Sequence, residues 1–130
     1  MNQLLIASVI LSASITYLAS TLLPRKDGMD ALCLRIKKWM DAKGITEHGT
    51  PQAQALKCKE ELFEQADELA RQFAGEHRLM HIKDETGDCL VTQIVMCYLH
   101  GWEPSDVLSG AVAKIEKRTG SMRNGVFVKD

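Results

Sequence analysis

Residues 51–73 read PQAQALKCKEELFEQADELARQF, and residues 79–100 read LMHIKDETGDCLVTQIVMCYLH. In the first stretch Ala55, Leu56, Leu62, Phe63, Ala66, Leu69, Ala70 and Phe73 recur at helical spacing. Thr50 suits an N-cap and Pro51 a first helical residue, so the spacing predicts a long helix over Gln52–Phe73, closed by Gly75. The second stretch predicts a helix from Leu79 to His100, stopped by Gly101. Its half Cys89–Leu99 is nearly all apolar, as expected of the central helix of a domain.

Two further helices flank this pair. Asp30–Lys43 places Leu32, Cys33, Ile36, Trp39 and Met40 at helical spacing and ends at Gly44. A loop is expected through His48, Gly49 and Thr50. Pro104–Arg118 carries Val107, Leu108, Val112 and Ile115 on one face and ends before Gly120. In the tail, Asn124 and Gly125 form a tight-turn pair between Met122 and the run Val126–Val128, which predicts a small hairpin. The expectation is an all-α, four-helix bundle. One such unit leaves apolar surface uncovered, so a homodimer or homotetramer is expected.

The chain has 130 residues, enough for one compact domain, with 45% hydrophobic and 25% charged residues. Its net charge of −1 provides no electrostatic footprint for nucleic acid. The cysteines Cys33, Cys58, Cys89 and Cys97 form no CxxC pair and read as small buried hydrophobes. The histidines His48, His77, His81 and His100 are scattered, and no P-loop or Rossmann glycine pattern is present.

Residues 2–24 carry no charge, and residues 4–23 are long enough to cross a bilayer as one hydrophobic helix. Arg25 and Lys26 follow at once, which would put the remainder in the cytoplasm, anchored to the inner face of the membrane. An upstream in-frame extension before Met29 is the competing reading. The domain expected either way is 29–130, preceded by the hydrophobic segment 1–28.

Two acidic groups carry the chemistry. Glu61 and Glu64 are three residues apart and project from one helix face, and Glu85 and Asp88 repeat that geometry. Each group alone reads as a solvated face. Both border apolar runs, however, and if the two helices pack antiparallel the four carboxylates converge. Four like charges in one place call for a cation. Oxygen ligands without His or Cys select Mg²⁺, with Mn²⁺ as the alternative. Gly87 would let the helices approach closely.

The order Glu60-Glu61-x-x-Glu64, then Glu85-x-x-Asp88, resembles the EExxE…ExxD pattern of the MazG-like, all-α nucleoside triphosphate pyrophosphohydrolases. Trp39, the run at 57–61, the run at 84–88 and the basic C-terminal segment join the resemblance, which covers residues 29–130. The family does not as a rule carry the N-terminal apolar segment. The resemblance implies Mg²⁺ held by Glu61, Glu64, Glu85 and Asp88, and cleavage of a nucleoside triphosphate between the α and β phosphates to give the monophosphate and pyrophosphate. Glu61 or Glu64 would serve as the catalytic base. It further implies phosphate contacts from Lys57, Lys114, Arg118 and Arg123, and base contacts from Trp39 and Gln52, with Gln54 beside it. The competing class is a membrane-anchored, non-enzymatic helical interaction module whose acids are only solvated faces.

Overall fold

The computed structural model describes residues 27–130. The expected membrane segment, residues 4–23, lies outside the described residues. Among the described residues no helix is long and apolar enough to cross a membrane.

The described chain runs α1 (Met29–Ala42), α2 (Ile45–His48), α3 (Pro51–Phe73), α4 (Leu79–Leu99), α5 (Pro104–Ile115), β1 (Gly120–Arg123) and β2 (Val126–Lys129). The expected all-α bundle is present. α3 starts as the sequence predicts: the Ala53 amide donates to Thr50 Oγ1 at 3.2 Å, and Pro51 occupies the first turn, where its missing N–H costs nothing. α3 and α4 pack as an antiparallel pair, because successive cross-links climb one helix while descending the other. Gln54 Nε2 donates to the Thr92 carbonyl at 3.0 Å, Gln65 Nε2 to Thr86 Oγ1 at 2.8 Å, and Arg78 Nη2 to Glu68 Oε1 at 2.7 Å. α4 is the central helix, packing against α1, α3 and α5. β1 and β2 form an antiparallel hairpin in the register Gly120↔Lys129 to Arg123↔Val126. Its turn residues Asn124 (φ 49°) and Gly125 (φ 82°) are both left-handed, which a type I′ turn requires.

Three expectations are corrected. Residues 45–48 form a short helix, α2, rather than a loop. Gly44, at φ 72°, turns the chain into it, and Thr46 Oγ1 donates to Asp41 Oδ1 at 2.6 Å across the junction. α5 ends at Ile115 and not at Arg118, because the Glu116–Lys117 turn hands the chain to β1. Gly87 does not mediate a close helix contact: a Cβ placed there would meet no atom within 4 Å.

The buried apolar core of the described chain is small. Cys33 and Met40 enter it from α1 and Val95 from α4, and all four cysteines are free. Much apolar surface stays open. Leu56, Leu62, Phe63 and Phe73 on α3, and Leu108 and Ile115 on α5, are all exposed, Phe73 almost completely at 96%.

Candidate functional site

The α3–α4 pairing brings Glu61, Glu64 and Glu85 together. One carboxylate oxygen from each lies within 4.8 Å of the other two. The i, i+3 spacing sets Glu61 and Glu64 on the same face of α3, and the antiparallel register sets Glu85 opposite them. Glu61 is 6% exposed, Glu85 is half-buried and Glu64 is exposed. Glu61 and Glu85 are thus drawn into the α3–α4 seam, while Glu64 keeps contact with solvent.

Electrostatically the cluster is short of positive charge. Glu85 Oε2 is buried and has no hydrogen-bond partner. Desolvation pushes the Glu85 carboxyl above the usual carboxylate range, and the charges of Glu64, Asp88 and Glu61 push in the same direction. Lys57 is the one cation paired with the cluster among the described residues. Its Nζ sits 2.6 Å from Glu61 Oε1 and 3.0 Å from Glu60 Oε1. Those carboxylates hold the ammonium well above the usual lysine value. An orphaned, desolvated carboxylate oxygen beside two further carboxylates fits a hard divalent cation.

The remaining expected residues are placed as follows. Asp88 is exposed and offers no oxygen to the three-carboxylate group, although its charge is felt at Glu85. Glu60 is exposed and paired with Lys57, outside the cluster. Lys114, Arg118 and Arg123 are exposed and form no ion pair among the described residues. Gln52 is exposed on the first turn of α3, while Gln54 is engaged in bonding the Thr92 carbonyl. Trp39 is 46% exposed and lines an apolar groove of about 510 Å³ with Met29, Leu32, Gly87, Leu90 and Ile94. That groove lies on the α1 side of α4. Gly87 is roughly 200° around the helix from Glu85, at about 100° per residue, so Trp39 sits across α4 from the carboxylates of its own chain.

Two elements of the site escaped the sequence reading. The pinning of α3 to α4 by Glu68 and Arg78 sets the height at which Glu85 meets Glu61. A charge pair ten residues apart across a helix junction leaves no periodic signal. The Cys58 thiol also lies 3.5 Å from the Thr92 carbonyl, filling the seam directly below the cluster.

A family model described as the MazG nucleotide pyrophosphohydrolase domain matches residues 50–122, from the N-cap of α3 through α4 and α5 into β1. No curated relative and no solved structure matches the chain. The family match covers more than half of the sequence and contains the entire carboxylate cluster, so the chain belongs to the MazG nucleotide pyrophosphohydrolase family.

Proposed function

We propose that the chain hydrolyses nucleoside triphosphates between the α and β phosphates in a Mg²⁺-dependent reaction that releases the monophosphate and pyrophosphate. The observation that carries this reading is the meeting of Glu61, Glu64 and Glu85 around a buried carboxylate oxygen without a partner. Glu61, Glu64 and Glu85 would hold the ion, with Asp88 one turn further along α4. When bound, the ion supplies charge neutralisation for the triphosphate and Lewis acidity at the scissile linkage.

The chain's own residues divide the remaining work. Glu64 is the one exposed carboxylate of the three and has no ion-pair partner among the described residues, so one of its oxygens can face the attacking water and take its proton while the other holds the ion. Glu61 is engaged by Lys57 and suits ligation better. Lys114, Arg118 and Arg123, exposed and without an ion pair among the described residues, are the cations that would meet the phosphate tail. We place the catalytic domain at residues 29–130. The interaction-module alternative is disfavoured by the burial of Glu61, which a solvated acidic face does not require.

Homodimerisation belongs to the same proposal. A second copy would cover exposed apolar side chains such as Leu62, Phe63 and Phe73. Because Trp39 faces away from its own carboxylates, its role in stacking a base, with Gln52 at the base edge, is proposed for a nucleotide held by the second copy. Sedimentation equilibrium is expected to give at least twice the 14.5 kDa chain mass. A monomer at micromolar concentration would remove both the dimer and the cross-subunit role of Trp39.

The test of function uses a panel of canonical and modified triphosphates with Mg²⁺ or EDTA. Pyrophosphate release with Mg²⁺ and none with EDTA is expected. Release of single phosphate would keep the metal and reject α–β cleavage. Absence of turnover by folded protein on the whole panel would reject the reading.

A further inference from the structure

We propose that Lys57 is a tethered counter-cation that occupies Glu61 while the divalent ion is away and must give up that carboxylate when the ion arrives. The inference rests on the metal reading above and concerns how that site is regulated. Lys57 lies one turn before Glu61 on α3, so its ammonium reaches the same helix face as the ligands. It contacts Glu61 Oε1 at 2.6 Å, and Glu61 is the most buried carboxylate of the cluster. No other cation is paired with Glu61, Glu64 or Glu85 among the described residues. Without Lys57, the metal-free cluster would have no positive charge in contact with it.

A cation that neutralises the empty site also opposes its filling. The ammonium and a divalent ion repel at this range, and both draw on Glu61. Glu60 offers the way out. Its Oε1 is 3.0 Å from the same Nζ, on the exposed side of the helix. Lys57 can therefore leave Glu61 and keep an ion pair, and the exchange is a small swing about one side chain. Once released, the ammonium stands one turn from the ligands, within reach of a phosphate group brought in with the ion. Lys57 is thus a positioning residue that sets the metal threshold of the site: it stabilises the metal-free protein and weakens metal binding.

The test compares the full-length wild type, Lys57→Gln and Lys57→Arg by calorimetric titration with Mn²⁺ and by thermal melting in EDTA. Lys57→Gln is expected to bind Mn²⁺ about tenfold more tightly, within the range by which groups around metal ligands shift affinity. It should also melt lower than wild type in EDTA and gain more in melting temperature on adding Mn²⁺. Lys57→Arg keeps the charge and should stay close to wild type in all three. Equal or weaker Mn²⁺ binding by folded Lys57→Gln overturns the proposal. Should Lys57→Gln fail to fold, nitrogen-detected NMR of the wild-type Lys57 ammonium decides. A signal protected in EDTA and altered by Mg²⁺ supports the exchange, and one that Mg²⁺ leaves unchanged overturns it. Wild-type protein that binds no Mn²⁺ sinks the metal reading together with this inference. Wild-type binding with no tightening in Lys57→Gln sinks the inference alone.

Discussion

Glu85→Gln is expected to melt at a higher temperature than wild type in EDTA near neutral pH, and yet to lose Mg²⁺-dependent turnover by about 100-fold or more. Both effects come from one atom. Glu85 Oε2 is buried with no partner, and its carboxyl is pushed above the ordinary carboxylate range by desolvation and by Glu64, Asp88 and Glu61. Folding therefore favours the protonated form. As pH rises from the ordinary carboxylate value through the raised one, the folded protein must release a proton it holds more tightly than the unfolded chain does, so stability falls. A neutral amide removes that cost, and the advantage of the mutant should shrink as pH is lowered toward the ordinary range. The pair Glu68–Arg78 works in the opposite sense. Arg78 holds the Glu68 carboxyl low, so its contribution is present above the ordinary carboxylate value and is lost as pH falls through the lowered one. The mutant retains that pair, so the difference between the two proteins reports Glu85 alone.

The turnover loss follows from the removal of a ligand. Substitution of groups that merely support metal ligands costs about 10–100-fold, and removing a ligand itself should cost at least the upper figure. Glu64→Gln should lose activity to the same extent with its helical circular dichroism intact, since Glu64 is exposed and forms no ion pair among the described residues. Melting curves from pH 5 to 8 in EDTA, alongside pyrophosphate release in Mg²⁺, check all of this (the pH span being about the usual range of maximal stability). A Glu85→Gln protein less stable than wild type at neutral pH would show that the carboxylate is structural and not held in readiness for a cation.

Met40→Ala is expected to be the most destabilising single apolar truncation in the described chain. Met40 is 1% exposed, the most completely buried large side chain of a small core. Truncating a buried Met to Ala costs about 2–5 kcal/mol through lost transfer energy and the cavity left behind. Against a typical domain stability of about 5–15 kcal/mol, that is a large fraction. Its neighbour Trp39 offers the internal control. Trp39 lines an open groove and is 46% exposed, so Trp39→Ala should leave the urea midpoint close to wild type while weakening nucleotide binding. If the two substitutions destabilise equally, the groove is part of the core and the proposed base contact fails.

Most of the helical frame was legible from local chemistry. Thr50 and Pro51 announce the start of α3, and Gly44, Gly75 and Gly101 adopt the left-handed φ values that end helices. The Asn124–Gly125 turn is likewise a local decision. The four residues of α2 are too few to show a period, so they read as loop. The cationic run after Ile115 looks like a helix C-terminus but lies beyond one. Gly87 illustrates the opposite failure. A glycine inside a helix suggests close approach, whereas here it opens a groove wall.

The sequence by itself determined which residues bear carboxylates, that Glu61 and Glu64 share a helix face, and that the pattern belongs with a family of nucleotide pyrophosphohydrolases. These are properties of helical spacing and motif order, which act within a few residues. Only the tertiary structure decided which turn of α3 meets which turn of α4, because that register is set by contacts between residues far apart in the chain: Gln54 with Thr92, Gln65 with Thr86, and Glu68 with Arg78. Through that register Glu85 joins Glu61 and Glu64 while Asp88 stays outside, and the packing of α1 against α4 puts Trp39 on the far side of α4, whereas the Lys57–Glu61 pair is a local i, i+4 contact of α3.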